Sequence, residues 1–206
     1  MKIYRQFQPY RVSERPCVFL FGTFDGVHRG HQHLFSQAIE LAKKMGYATA
    51  LLTFQNHPAA VLRPEIPPPI ALTTDAEKLS LIEPYGFDIV IDIEFTKAVS
   101  DLSAEQFIEK ICTMLDVKIW LAGDDVAFGR HREGTKKYLL ERSKVWGFEV
   151  QLLTKLCVGG VPISSSSIRT LISEGKLSDA EGLLGRNPRK PGCRNPEARV
   201  AREQGV

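Results

Sequence analysis

Two histidines stand three residues apart in a glycine-rich stretch near the amino terminus, His28 and His31 with Gly30 between them. At that spacing two side chains can lie on one side of the first turn of a helix. Imidazole donors beside the positive end of a helix suit a phosphoryl or nucleotidyl group in transfer, and Gly30 has no side chain to keep a phosphate from the backbone N–H groups. The same residues also fit a glycine-rich turn with two exposed histidines. A metal site is disfavoured because no third ligand lies nearby in the sequence.

A second polar cluster consists of four consecutive serines, residues 164–167, followed by Arg169. One serine is enough to cap a helix, so capping alone does not account for four. Hydroxyls, free backbone N–H groups and one guanidinium can together bind a polyphosphate. The two clusters therefore predict phosphate chemistry, although the sequence contains neither a P-loop nor a Gly-x-Gly-x-x-Gly fingerprint.

Strands and helices must alternate along the chain to position these clusters. Short apolar runs predict strands at 17–21, 47–54, 88–93, 117–122 and 148–153. Helical periodicity and capping patterns predict helices at 30–45, 74–82, 103–115, 136–146, 165–174 and 178–184. This order is typical of a Rossmann-like, doubly wound α/β fold with a mostly parallel sheet of about five or six strands. Ligands of such sheets bind beyond the carboxyl ends of the strands, so we expect both clusters at one rim of the sheet.

Composition narrows the class of protein further. The chain has 206 residues, of which 43% are hydrophobic and 25% charged, as in ordinary globular domains. Residues 187–206 hold five Lys/Arg and two Asp/Glu, so this segment alone accounts for the net charge of +3 and the rest of the chain is formally neutral. A nucleic-acid binder usually concentrates positive charge on its folded domain, so this distribution argues against a nucleic-acid partner. We expect 187–206 to be a mobile tail. The four cysteines are scattered, no apolar run suits a membrane span and no secretory signal opens the chain, so we expect a cytoplasmic protein without a membrane partner.

The two clusters resemble the His-x-Gly-His and Ile-Ser-Ser-Thr-x-x-Arg motifs with which members of the nucleotidylyltransferase superfamily bind ATP. Ser166 stands at the threonine position of the second motif and keeps the hydroxyl. Further segments in order make residues 15–186 similar to the adenylyltransferase module of the bacterial bifunctional riboflavin kinase/FAD synthetase. These segments are 53–58, 72–78, 95–96, 102–108, 123–134 and 183–186. The sequence departs from that family at Asn56, usually proline, at Val126 and Ala127, usually larger, and at Thr135, often aspartate.

The resemblance implies an FMN adenylyltransferase domain over 1–186 that makes FAD and pyrophosphate from ATP and FMN, with Mg²⁺ held mainly by phosphates and water and no protein ligand assigned. The implied catalytic residues are His28, His31 and Arg169. The implied ATP-binding residues are Gly22, Thr23, Phe24, Gly26, Gly30, Ser164, Ser165 and Ser166. Aromatic and proline faces can pack on a flavin ring, and the flavin-binding candidates are Phe54, Asn56, His57, Pro58, Asp125 and Phe128.

Several alternatives stay open. Phe54 and Phe128 could be core residues, and Asp125 could bind a ribityl or nucleotide group, help to place Mg²⁺ or cap a turn. The basic cluster 130–132 could close over phosphates or be a solvated surface. No Pro-Thr-Ala-Asn kinase motif occurs, so we expect the riboflavin kinase domain and its activity to be absent from this chain. The rival functions are a related nucleotidylyltransferase with another phosphate acceptor and a non-catalytic flavin-binding module.

Overall fold

A computed structural model of the chain describes residues 1–188. The predicted mobile tail, 187–206, lies outside these residues except for its first two positions. The domain boundary at residue 186 therefore stays a prediction. Within the described residues, none of the helices combines the length and the apolar character that crossing a bilayer requires.

Every predicted helix and strand is present, with ends shifted by a few residues. The strands are β1 (Lys2–Tyr4), β2 (Ser13–Phe21), β3 (Ala48–Phe54), β4 (Ile89–Ile93), β5 (Leu115–Gly123), β6 (Ala127–Phe128), β7 (Gly134–Thr135), β8 (Glu149–Leu153), β9 (Cys157–Val158) and β10 (Val161–Pro162). The helices are α1 (Arg29–Met45), α2 (Ala59–Leu62), α3 (Asp75–Ile82), α4 (Lys97–Ser100), α5 (Ala104–Met114), α6 (Lys136–Trp146), α7 (Ser165–Ser173) and α8 (Leu177–Leu184). The elements that the sequence did not predict are short, with two to four residues each: β1, β6, β7, β9, β10, α2 and α4.

The main sheet has six strands in the order β1-β4-β3-β2-β5-β8, and all of its pairs are parallel. The predicted fold class is thus confirmed, with β1 as an additional edge strand beside β4. The chain runs outward from β2 in both directions, to β3 on one side and to β5 on the other. Such a reversal leaves a crevice at the carboxyl ends of the two central strands, which is where ligands of open α/β sheets bind.

Buried side chains cover both faces of the sheet, as a parallel sheet requires. On one face Phe19, Leu52 and Trp120 pack with the apolar side of α5. On the other face Leu20 and Leu51 pack with α1 and α3. A smaller cluster joins α7 and α8 to the loop before α3, and its buried members are Leu72, Ile163, Ile168, Ala180 and Leu184. This cluster holds the start of α7 near the start of α1.

Candidate active site

The histidine pair lies at the first turn of α1. His28 is the N-cap residue, and its Nδ1 accepts a hydrogen bond from the His31 backbone N–H at 3.3 Å. The two imidazole rings stack with their centroids 3.5 Å apart and their planes 18° from parallel. A Cβ atom on Gly30 would lie 3.2 Å from the His28 ring and 3.8 Å from the carbonyl oxygen of Ile163, so a side chain there would crowd the pair.

Burial makes both imidazoles neutral at physiological pH. Desolvation lowers the pKa of His28 to about 4 and lowers the pKa of His31 well below its ordinary value. Because Nδ1 of His28 is an acceptor, its proton must reside on Nε2, which can donate to a ligand. Nδ1 of His31 is buried and has no hydrogen-bond partner among residues 1–188. The pair can therefore offer hydrogen bonds to a phosphate without bringing positive charge.

The loop between β2 and α1 is conformationally strained. Phe24 and Val27 have φ angles of 46° and 37°, in a region that L side chains rarely adopt, and the β-branched Val27 is a clear outlier there. The Phe24 ring meets the His31 ring edge-on at a centroid distance of 5.2 Å. Strain of this kind persists where the surrounding structure enforces it, and it clusters at functional sites.

The serines at the start of α7 have different partners. Ser164 is the N-cap, and its hydroxyl and backbone N–H form a capping box with Ser167. The Ser165 hydroxyl donates to the backbone oxygen of Asp25 at 2.9 Å. The Ser166 side chain is exposed. Capping thus uses two of the four hydroxyls and the β2–α1 loop uses a third, which leaves Ser166 most accessible to a ligand.

Asp25, which was not among the predicted site residues, connects the two clusters. Its carboxylate accepts hydrogen bonds from the backbone N–H groups of Leu72 at 2.9 Å and Thr73 at 3.2 Å, and it forms an ion pair with Arg169. Nε of Arg169 also donates to the carbonyl oxygen of Ile70 at 2.7 Å. The carboxylate therefore fixes the guanidinium at the start of α7. The only indication of this role of Asp25 in the sequence was that an acidic residue stands inside a glycine-rich turn.

One cleft of about 680 Å³ contains both clusters. Its lining includes His28, Gly30, His31, Ser164, Ser165, Ser166 and Arg169, along with Gly22, Thr23 and Phe24. The predicted convergence of the two helix starts at one rim of the sheet is confirmed. Gly26 does not line the cleft: its φ is +81°, and its N–H donates to the hydroxyl of Thr73 at 3.2 Å.

Another part of the lining, which we call the aromatic wall, is apolar and is formed by Phe54, Phe95, Val99, Phe128 and Leu62. The flavin-binding candidates that line the cleft are Phe54, His57, Pro58, Asp125 and Phe128. Phe54 meets the ring of Phe95 edge-on at 5.1 Å. Phe128 is only 6% exposed and packs on Trp120, so it belongs to the core as well as to the edge of the cleft.

Asn56 is the flavin-binding candidate that the structure leaves out of the lining. Its amide instead pairs with the backbone of Phe95: Nδ2 donates to the carbonyl oxygen at 3.0 Å, and Oδ1 accepts from the N–H at 2.7 Å. Asn56 thus joins the loop after β3 to the loop after β4. It shapes the aromatic wall without forming part of it.

Two further charged residues line the mouth of the cleft beyond β5 and β8. Asp125, whose side chain is 64% exposed, pairs with Lys155 at 2.7 Å. Among residues 1–188 no group of three or more His, Cys, Asp or Glu side chains is arranged to hold a metal ion. Asp25 already has several donors, so Asp125 is the lining carboxylate that could offer an oxygen to a phosphate-bound cation.

The fold and the cleft together define an α/β protein of the nucleotidylyltransferase type. Residues 11–167 match the family model of FAD synthetase. Because that match spans well over half of the sequence, the chain belongs to the FAD synthetase family.

Similar proteins agree with this family. A bifunctional riboflavin kinase/FMN adenylyltransferase of Buchnera aphidicola (subsp. Schizaphis graminum) is 35% identical, over 90% of this chain and 60% of that protein. The Listeria monocytogenes protein of the same name is 37% identical, over 82% of this chain and 53% of that protein. The Escherichia coli (strain K12) protein is 33% identical, over 85% of this chain and 57% of that protein. The chain therefore spans 53–60% of the length of these relatives. A solved structure titled macrolide-efflux protein, from Streptococcus pneumoniae, matches with a TM-score of 0.73 and 28% identity, over 84% of this chain and 58% of that one.

Proposed function

We propose that this chain is an FMN adenylyltransferase, which makes FAD and pyrophosphate from ATP and FMN. The observation that carries the proposal is that one cleft is lined by the histidine pair, the serine–arginine cluster and the aromatic wall. The polar part of this lining suits a triphosphate, and the aromatic wall suits a flat aromatic ring. The names of the relatives support this reaction for the part of their length that the chain covers.

In the proposed reaction an oxygen of the FMN phosphate attacks the α-phosphorus of ATP in line. A new P–O bond forms, the bond between the α-phosphorus and the bridging oxygen breaks, and pyrophosphate leaves with that oxygen. The FMN phosphate is already anionic near pH 7, so the protein has to position the groups and stabilise charge rather than remove a proton. His28 and His31 would donate hydrogen bonds to the α-phosphate at the start of α1.

The pyrophosphate leaving group would be bound at the start of α7. Nε of Arg169 donates to Ile70 and Nη2 pairs with Asp25, so the Nη1 donors of this side chain would bind the phosphate. The hydroxyls of Ser165 and Ser166 line the same cleft. Asp25 would act as a positioning residue, since it holds the guanidinium in place from the side. This arrangement puts leaving-group recognition and α-phosphate recognition on two helices that meet at one rim.

The charge of the cleft supports a requirement for Mg²⁺. Its lining contains three cationic side chains and two carboxylates, Arg132, Lys155 and Arg169 against Asp25 and Asp125. The neutral pair of His28 and His31 adds no charge, whereas ATP and FMN together carry about six negative charges. Mg²⁺ bound to the phosphates, with water as most of its ligands, would neutralise part of the excess. We also expect the protein to act in the cytoplasm, because Cys17, Cys112 and Cys157 are free thiols.

The test is to incubate the purified chain with ATP and Mg²⁺ and with either FMN or riboflavin, and to measure FAD and pyrophosphate. Equal amounts of both products from FMN, and none from riboflavin, are expected because riboflavin has no phosphate to attack with. A folded chain that binds flavin without forming product would support a non-catalytic flavin-binding module instead. Product with a different phosphate acceptor only would support a related transferase.

A further inference from the structure

The turn formed by residues 129–133, at the edge of the cleft, has an unusual backbone. Gly129 has a φ of 72°, and it is followed by His131 at 54° and Arg132 at 61°. Non-glycine residues in this region cost free energy, and two in succession are uncommon. From its sequence, this basic segment could be either a phosphate-binding loop or a solvated surface.

The turn is fastened to the start of α5. The Arg130 N–H donates to the carbonyl oxygen of Leu102 at 2.7 Å, and the Glu133 carboxylate accepts from the Ala104 N–H at 2.8 Å. A Cβ atom on Gly129 would lie only 2.6 Å from the Ala104 nitrogen, so the two segments are in close contact. Together these contacts hold the strained residues of the turn in one conformation.

The three basic side chains of the turn are all exposed, but they differ in their position relative to the cleft. His131 and Arg132 line it, whereas Arg130 lies outside the lining. Arg132 forms no ion pair with another of residues 1–188. The other two cations of the lining are already paired with carboxylates, Arg169 with Asp25 and Lys155 with Asp125. Among the described residues, Arg132 is therefore the cation of the lining without a carboxylate partner, so it can bind an anionic group in addition to the one proposed for Arg169.

The position of the turn indicates which ligand that is. Phe128 directly precedes it, and the segment that fastens it, residues 102–104, continues from Phe95 and Val99 of the aromatic wall. The turn is thus contiguous with the aromatic wall, the part of the lining that the proposed function assigns to the flavin. We propose that Arg132 binds the phosphate of the FMN acceptor and so makes the site selective for a phosphorylated flavin over a free one. This inference rests on the function proposed above.

The inference is tested by binding, without turnover. FMN and riboflavin are titrated into the wild-type chain and the variants Arg132→Met and Arg130→Met by flavin fluorescence, and Mg²⁺-ATP is titrated separately. Arg130→Met is the matched control, because it removes the same charge from the same turn outside the cleft. Arg132→Met is expected to weaken FMN binding about tenfold while riboflavin and ATP affinities stay within about twofold. Arg130→Met should leave all three affinities within that range.

Three results would overturn the role of Arg132: equal losses in both variants, a parallel loss of riboflavin affinity, or a loss of ATP affinity in place of FMN affinity. Arg132→Lys retains the charge and the alkyl stem but not the planar guanidinium, so it should bind FMN with an affinity between those of the wild type and Arg132→Met. Wild-type affinity for FMN in both variants would also refute the role of Arg132. A wild-type chain that binds no flavin and makes no FAD would remove the proposed function itself. Failure of the two proposals is therefore distinguishable.

Discussion

Asp25 is expected to stabilise the fold as well as the site, and replacing it separates its charge from its hydrogen bonds. Asp25→Asn removes the negative charge opposite Arg169 but keeps a carbonyl oxygen for the N–H groups of Leu72 and Thr73. Asp25→Ala removes both. The two variants together therefore divide the contribution of this side chain into an ionic part and a hydrogen-bonding part.

The structure sets the magnitude of each part. Removing one partner of a fully buried ion pair costs about 3–5 kcal/mol. The side chains of Arg169 and Asp25 are 19% and 10% exposed, so solvent screens the pair and we expect about 2–3 kcal/mol for Asp25→Asn. Two backbone donors left without an acceptor cost about 1 kcal/mol each or more, so Asp25→Ala should lose about 4–5 kcal/mol.

Urea unfolding followed by circular dichroism measures these losses. Asp101→Asn is a suitable control, since it removes a carboxylate from an exposed ion pair with Lys97 and should cost less than about 1 kcal/mol. An unfolding free energy for Asp25→Asn within 0.5 kcal/mol of wild type, about the scatter of surface substitutions, would refute the role given to the ion pair. Equal losses for the asparagine and alanine variants would refute the role given to the backbone contacts.

Three further predictions follow from the same site. Because burial lowers the pKa of His28 to about 4, the unfolded chain takes up a proton first on acidification, and His28 alone should lower the unfolding free energy by up to about 3 kcal/mol between pH 6.5 and 4. His28→Asn should make the slope of unfolding free energy against pH less steep in pH-dependent melts, and an unchanged slope would contradict the assignment. Gly30→Ala should lower turnover about tenfold or more because the new Cβ displaces the His28 ring. The melting temperature should be unchanged or higher because alanine favours the helix, and wild-type turnover would contradict this prediction. Asn56→Ala should weaken FMN binding about tenfold and leave ATP affinity unchanged, because the backbone of Phe95 loses both of its contacts with the Asn56 amide. Titration measures both affinities, and equal losses for both ligands would indicate general unfolding.

Local patterns in the sequence predicted the parts of the fold that are locally determined. The capping boxes at Thr74 and Ser103 begin α3 and α5 as expected, and the apolar runs gave the five long strands of the sheet. β1 was missed because three residues carry no periodicity; the strand is defined by its pairing with β4, where Lys2 lies opposite Ile89. Short edge strands of this kind depend on tertiary contacts alone.

The site was only partly predictable for the same reason. The histidine and serine clusters were visible because each is contiguous in the chain. The contact between Asp25 and Arg169 joins residues 144 positions apart and has no local signature. The neutrality of His28 likewise depends on burial that only the folded chain provides. Asn56, read as a ligand-facing residue, proved to be a link between two loops.

The proposed reaction joins the α-phosphate of ATP to the phosphate of FMN, and labelled phosphorus can follow this transfer. ATP labelled at the α-phosphorus should transfer its label to FAD, in equal amount to the pyrophosphate released, whereas label at the γ-phosphorus should appear only in pyrophosphate. His31→Ala should slow this transfer by about 100-fold. Label from the γ-position in a flavin product, or α-label released by folded protein without any labelled FAD, would rule out the proposed reaction.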